Sequence, residues 1–568
     1  MAFRTTNELT TEIRNLKKSG EVSFDMSGCK LGQKSFIELL ALFSLLKNLG
    51  VKYLNLGNNF LWEKTGTELA EILSALKDSQ VIRLFLFGND LWQQSATELA
   101  TMLGALQKSG IRHLDLCWND LWKKSGTELA IILGALKESG VTHLNLGGNN
   151  LGEQTGIELG LEALKNSGVI YLDLNHNKLD HKTDTELALM FASLKDSGVT
   201  HLVLSKNDLG QKTGAELATI LRGLKKSGVK YLDLTSNILG QKTGLELATM
   251  LDALKDSGIT HLDLGDNRLG QKSGAELASM LGALKDAGIT HLNLYENRLG
   301  QKSGVELGSM LHALKGSGVK HLDLSWNELE QKTGAELAVM LEGLKDSGVT
   351  HLSLAWNELS QKTGAELSTL LGALNKSGVT HLDLSANQLG LKEGTELAAM
   401  LRVLKGSGIT HLDLRGNNLD EKSEDELARM FAALEDSGVT HLDLGSNDFD
   451  KKSSRSLEKI INAIPRSIVS ISLTCSELEK MDKAQLKVIQ DRFPNPEHTI
   501  LIDNERRKLD SSLRKADANV YRKLGYKTTI PSLLNHSALF VAQNKELFKK
   551  GYEELPIDLI DYINELKI

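Results

Sequence analysis

Cysteine is scarce: Cys29, Cys117 and Cys475 are all that 568 residues contain, an odd number spread widely. No disulfide framework and no zinc-ligand spacing can be built from them. Aromatic residues make up only 5% of the chain. That excludes a core built around large rings and points to a thin one filled by Leu, Ala and other aliphatic side chains. A run of apolar residues long enough to span a bilayer is missing too. Residues 1–20 are polar and charged throughout, without the apolar stretch of a secretory signal. The expectation is a soluble chain suited to a reducing compartment, with no membrane insertion. The net charge of −7 and pI near 6.1 leave no bulk attraction for nucleic acid or anionic lipid.

What the chain does have is a period. Residues 199–228 read VTHLVLSKNDLGQKTGAELATILRGLKKSG, and residues 259–288 read ITHLDLGDNRLGQKSGAELASMLGALKDAG. Fifteen such repeats begin at 21, 51, 81, 111, 141, 169, 199, 229, 259, 289, 319, 349, 379, 409 and 439. An array in which each repeat contacts only its neighbours escapes the size limit of a single core. The repeat at 141 is two residues short, and the loss falls in its second half, where a local change of packing is expected.

Each repeat has two halves. In VTHLVL, Val199, Leu202 and Leu204 follow an inward pattern while His201 and Val203 face the other way, as a strand requires. An Asn then recurs in fourteen repeats, Asn59 through Asn447, with Cys29 in its place in the first. A primary amide both donates and accepts, so a stacked column of them can satisfy buried loop backbone. The second half reads as a helix. Thr213 and Glu216 have capping-box spacing, repeated at Ser35/Glu38, Thr65/Glu68, Ser273/Glu276 and Thr333/Glu336 among others. The repeats at 379 and 439 depart from it with Glu393 and Ser456. Leu217, Ile220, Leu221 and Leu224 form one apolar stripe, and Gly228 is expected to end the helix in a left-handed cap.

The pattern L-x-L-x-x-N-x-L followed by a helix, with a period near 30, resembles the ribonuclease-inhibitor-like class of leucine-rich repeats across residues 21–468. The resemblance implies an α/β solenoid: a right-handed horseshoe with a parallel concave sheet, convex helices and a protein-binding inner face. It does not imply inhibition of a ribonuclease, because function resides in sites and not in folds.

The ends differ from the array. Residues 1–20 read as a capping helix, with Glu12, Arg14 and Asn15 where internal repeats carry small or apolar side chains. Residues 469–493 keep a strand (Val469, Ile471, Leu473) and a helix but lose the Asn, as a degenerate last repeat. Residues 494–568 form a mostly helical cap or tail: HTILIDN as a strand, 505–525 as a charged helix, and helical stretches near 532–550 and 556–566. The closing GYEELPIDLIDYINELKI, with Glu553, Glu554 and Leu566, resembles the acidic-and-hydrophobic tails read by type IV secretion systems of intracellular bacterial pathogens. LPIDLIDYINEL also resembles the opening of an F-box, and a plain amphipathic capping helix is a third reading.

Positions that vary between repeats show where the fold is indifferent, and all six Trp lie there. One candidate contact patch joins Phe60, Phe85, Phe87 and Trp118, extended by the column Trp62, Trp92, Trp122. A second joins Tyr295, Trp326 and Trp356, framed by Glu296, Glu328, Glu330 and Glu358, whose carboxylates favour a basic partner. Against both stands the reading that these rings simply cover apolar core. Ten His share one strand position, His113 through His441, with an acid two residues on in many repeats, such as Asp263, Asp383, Asp413 and Asp443. Such a face is either pH-sensitive between about 5 and 7 or a solvated duplicate ladder. Lysines before the cap (Lys34, Lys64, Lys212, Lys242, Lys272, Lys302) and near the helix end (Lys225, Lys255, Lys285) read as solubilising convex surface.

No nucleotide loop, nucleophile elbow or metalloprotease helix is present in the sequence. The expectation is a monomeric, non-catalytic protein-recognition scaffold without catalytic residue, cofactor or metal. It is expected to be made in a bacterial cytoplasm and delivered into a host cell to bind a host protein. The alternative is an adaptor or cryptic enzyme whose activity lies in 494–568, with the repeats as targeting module.

Overall fold

The computed structural model describes residues 4–19, 22–47, 49–77, 79–107, 109–494 and 499–502. The helices expected at 505–525, 532–550 and 556–566 and the closing sequence pattern lie outside the described residues. Contacts divide the chain into an N-terminal body, Met1–Asn267 with Asp286–Ile289, and a C-terminal body, Arg268–Lys285 with Thr290–Ile568. The division falls inside the repeat that begins at 259.

One repeat of the N-terminal body illustrates them all. The strand His201–Val203 is followed by a 3-10 turn at Leu209–Gln211 and a helix at Gly214–Arg222. Leu202, Leu204, Leu209, Leu217, Ile220, Leu221 and Leu224 are each at most 2% exposed. A fully buried Leu contributes about 1.5–3 kcal/mol, so the aliphatic stripe supplies most of the cohesion between layers. Strands pair in parallel, in register and in chain order within each body: Tyr53 opposite Arg83, Leu54 opposite Leu84, and in the C-terminal body His321 opposite His351. Helices of successive repeats pack side by side.

The asparagine column is the polar spine. Asn327 and its equivalents are essentially unexposed. The Asn327 amide nitrogen donates to the carbonyls of Leu294 and Ser325, at 3.0 and 3.1 Å. Its Oδ1 accepts the backbone N–H of Asn297 and of Leu299, at 3.0 and 3.2 Å. One side chain thus satisfies four buried backbone groups in two adjacent repeats.

The capping boxes form as their spacing predicts, and reach further. Glu366 closes its own box on Thr363 while its second oxygen accepts the N–H of Gly334 in the preceding repeat at 3.0 Å. A Cβ at Gly334 would sit 2.5–2.8 Å from Glu366, which is why Gly follows the capping residue so often. The departures noted in the sequence are partial. Glu393 keeps its backbone bond to Glu396, and Ser453 still caps by accepting the N–H of Ser456.

Two expectations are corrected, and the change expected in the short repeat takes a definite form. The helix ends at Arg222, well before Gly228. Gly228 (φ 94°), with Lys226 (φ 68°), instead turns the chain back into the next strand. In the short repeat the helix shrinks to Ile157–Glu162 and begins at left-handed Gly156, so Thr155 and Glu158 make no capping box there. The lysines before the caps are less solvated than expected: Lys34, Lys64, Lys212, Lys242, Lys272 and Lys302 are half-buried, and equivalents in other repeats are buried. Lys124 and Lys362 are 8% exposed, Lys182 is 4% exposed, and Lys182 and Lys392 each donate to a backbone carbonyl of the preceding repeat. The second lysine column is open to solvent and forms surface ion pairs such as Lys225–Asp256 at 3.3 Å.

At the N-terminus, helix Thr6–Ser19 buries Leu9, Ile13 and Leu16 and leaves Arg14 and Asn15 exposed, as a cap should. Near the other end, strands Ser470–Thr474 and Thr499–Ile502 continue the parallel pairing.

Candidate protein-binding surface

Function must be sought on the strand face and on the loop where each strand passes into its 3-10 turn. The residue just before the Asn has φ between 47° and 64° in every repeat. Glycine meets this left-handed requirement at Gly28, Gly88, Gly148 and Gly416. Three repeats place Trp there instead: Trp118, Trp326 and Trp356, at φ 55–56°. A non-glycine residue in this conformation costs about 1 kcal/mol. These indoles are 57%, 50% and 47% exposed, so half of each ring gains nothing from the core. Trp326 and Trp356 stack on each other, ring centroids 4.6 Å apart and planes inclined by 12°.

Around that stack the C-terminal body is acidic. Glu296 and Glu358 are exposed, and Tyr295, Glu328 and Glu330 are half-buried. Glu328 lies 3.9 Å from Arg298 and accepts from Gln331 at 2.9 Å, while Glu358 accepts from Gln361 at 2.6 Å. Burial, and then the charges of Glu358 and Glu328, push the Glu330 carboxyl upward.

The first sequence patch does not come together as one surface. Phe87 lies back over Gly57, where a Cβ would meet its ring at 2.3 Å; Trp118 lies forward over Gly148, where a Cβ would meet the indole at 2.5 Å. Trp118 then approaches His176, centroids 5.8 Å apart. Phe85 is half-buried and Phe60 is 40% exposed. Trp62 and Trp92 are half-buried and Trp122 is exposed; Lys123 places its ammonium 3.6 Å from the Trp92 ring centre. These indoles stand where other repeats have Gly. The backbone bond to the next repeat is 2.8 Å at Gly270 but 3.3 Å at Trp92 and 3.1 Å at Trp122. Replacing that Gly therefore loosens the loop.

The histidines do not form a fully solvated ladder: they are half-buried along the strand face, and burial lowers His351, His381 and His411 from their ordinary value. In the C-terminal body His291, His321, His351, His381, His411 and His441 stack with centroids 3.8–4.1 Å apart. Each Thr hydroxyl at 350, 380, 410 and 440 donates to a backbone carbonyl of the repeat before and lies 2.9 Å from the Nδ1 of the His that follows it. The hydroxyl thus bridges the carbonyl of one repeat and the imidazole of the next, fixing the orientation of each ring. Burial and the neighbouring rings hold His351 and His411 down at about 4.

The acids two residues on are partly structural, since Asp323, Asp383 and Asp443 each accept the backbone N–H two residues later. Arg415 bonds to Asp413 and lies 3.0 Å from Asp443. Burial above all, and then repulsion among Asp383, Asp413 and Asp443, push Asp413 and Asp443 upward even so. The face is therefore rich in oxygen groups that can hydrogen-bond.

The one cluster with metal-ligand geometry among the described residues is Asp448, Asp450 and Glu477. Lys451 already pairs with Asp448 at 2.7 Å, and Glu477 is occupied by backbone donors of the asparagine column. Glu477 there is a terminus of the spine.

No family model and no curated protein sequence matches the chain. Among solved structures it is similar to the leucine-rich repeat-containing protein LegL7 from Legionella pneumophila, with 30% identity over 64% of this chain and 93% of that one, and a TM-score of 0.42. The chain belongs to the leucine-rich repeat proteins. Leucine-rich repeats stack into extended surfaces used for protein interaction, and this chain is such an α/β solenoid scaffold. No described helix is long and apolar enough to cross a membrane.

Proposed function

We propose that this leucine-rich repeat chain is a non-catalytic, monomeric recognition scaffold that binds a basic segment of another protein. The strand face and strand-to-turn loops of its C-terminal body would supply the contact. One observation carries the reading: Trp326 and Trp356 are half exposed and stacked, in a backbone conformation that glycine fills at lower cost. The stack of the two rings does no more than offset that cost, whereas exposed aromatics beside charge are what anchor protein interfaces. The flanking carboxylates ask for donors from the partner. An interface of ordinary size needs only ~800 Å² per partner, which several adjacent repeats can provide.

The finer reading is a secreted bacterial effector whose partner is a host-cell protein met in the host cytoplasm. Its support is the closing sequence pattern with Glu553, Glu554 and Leu566 and the near identity of the repeats. Affinity capture from host-cell lysate, comparing the wild type with a folded Trp326→Ala/Trp356→Ala variant, tests both parts. A basic partner lost only in the variant is the expected result. The same partner retained by the variant removes the tryptophans from the interface, and no host partner at all removes the effector reading.

A further inference from the structure

The stacked pair does not end the column it belongs to. The positions that follow Trp356 at the same place in successive repeats are Ala386, Gly416 and Ser446, all small. Neighbouring strands lie ~4.8 Å apart, close to the 4.6 Å between the two indoles. One more flat group laid on Trp356 would thus come to rest above Ala386. The two small residues lie in contact: the atoms nearest a Cβ built on Gly416 belong to Ala386, at 3.9 Å. The N-terminal body treats the equivalent column differently. Trp118 lies over Gly148 itself and meets His176 in the following repeat, so there the chain supplies its own second ring.

Charge is distributed unequally about the stack. Glu328 has Arg298 at 3.9 Å, whereas Glu358 forms no ion pair among the described residues. Gln388 follows Glu358 at the equivalent position of the next repeat. A ligand on the free face of Trp356 therefore meets an indole plane, a carboxylate without a cation, and small residues beneath.

We infer that Trp356, backed by Trp326 and continued by the Ala386–Gly416 shelf, is a receptor for an arginine side chain of the partner, its guanidinium lying on the indole and donating to Glu358. The inference rests on the protein-binding reading above and narrows it. Arginine fits better than lysine because its cation is planar, weakly hydrated and able to stack and donate in one plane, whereas an ammonium is a compact, strongly hydrated point charge.

The test uses the full chain labelled with 5-fluorotryptophan, whose six indoles give fluorine resonances assignable by single Trp→Phe variants. The probes are three short neutral-flanked peptides that differ only in a central arginine, lysine or citrulline. Expected are saturable shifts of Trp326 and Trp356 with the arginine peptide, about fivefold weaker binding of the lysine peptide, no shift with citrulline, and a stationary Trp118. Ala386→Trp, which fills the shelf and leaves both indoles in place, should abolish the shifts without lowering the melting temperature appreciably. Equal binding of lysine and arginine, a response centred on Trp118, no response at all, or undiminished binding by Ala386→Trp would each overturn the assignment. If the protein partner is lost in Trp326→Ala/Trp356→Ala while the peptides are not discriminated, the arginine site falls and the binding scaffold stands. If the partner survives that double variant, the broader reading falls first.

Discussion

Asn447 donates its backbone N–H to Glu477 Oε1 at 2.9 Å, the bond that Asn327 and its equivalents make to the asparagine of the next repeat. The carboxylate also takes the N–H groups of Ser446 and Asp448 and the N–H and hydroxyl of Thr474. A group that only accepts can finish a column in which every earlier member both donates and accepts. Glu477 is 2% exposed, so water cannot take over its role.

Glu477→Ala is therefore expected to cost several kcal/mol, since each buried donor left orphaned costs about 1–3 kcal/mol. Glu477→Gln, which keeps one acceptor oxygen, should cost less. Because repeats couple only to neighbours, hydrogen exchange should show the loss concentrated in residues 440–494, with the repeats near 200 unaffected. Uniform deprotection along the chain would contradict a terminal role.

Acid should weaken the strand face before it touches the caps. In the unfolded chain His protonates near its ordinary pKa of about 6.5, whereas burial holds folded His351 and His411 at about 4. Between those values the unfolded state binds more protons, so stability falls as pH drops through this window and levels off below it. The capping glutamates act lower: hydrogen bonds hold Glu38 and Glu426 at about 2, so their contribution is lost only below about 4.5. Burial raises Asp413 and Asp443 and gives them the opposite sign, opposing the loss as pH falls. Replacing His351, His381 and His411 by Gln isolates the imidazoles. Melting temperatures taken at pH 7, 5.5 and 4.5 should fall less steeply in the triple variant, and an unchanged slope would remove the histidines from the account.

The repeat, the strand and helix halves, the asparagine column and most capping boxes were legible because each depends on residue type at fixed spacing. Contacts that depend on pitch were not. Nothing in the isolated repeat announces that Glu366 reaches Gly334, or that Lys182 ends on a carbonyl of the repeat before. The loop was opaque for another reason: its left-handed position holds Gly416, Trp326, Glu296, Lys206 and Ala386 alike. With the stacked repeats imposing the conformation, the residue there does not reveal it. The same masking hid the separation of Phe87 from Trp118, whose rings lean to opposite sides. The second patch was readable as a pair because two adjacent repeats carry the same ring at the same position.

Two glycines of one repeat should respond in opposite ways to a single methyl group. At Gly270 a Cβ would lie 2.2 Å from the carbonyl oxygen of Arg298, so the loops must part as they have at Trp92. Gly270→Ala should cost about 1–3 kcal/mol. At Gly282, the last residue of its helix, nothing lies within 4 Å. Gly282→Ala should be neutral or stabilising by up to about 1 kcal/mol through helix propensity and a less flexible unfolded chain. Urea denaturation of the two variants checks the contrast, and equal effects would refute the close-approach argument.

The sharpest separation of fold from function lies in Trp356→Gly. Removing the indole forfeits its stack on Trp326, about 0.5–1.5 kcal/mol, and relieves a left-handed conformation worth about 1 kcal/mol. The two terms nearly cancel, so stability should change by less than about 1 kcal/mol. Two residues earlier, Leu354 is 1% exposed in the core, and Leu354→Ala should cost about 2–5 kcal/mol. Binding should show the reverse order: lost in Trp356→Gly, and retained by Leu354→Ala at temperatures where it stays folded. A Trp356→Gly variant that loses several kcal/mol would mean the indole supports the fold after all, and its exposure would no longer argue for a partner.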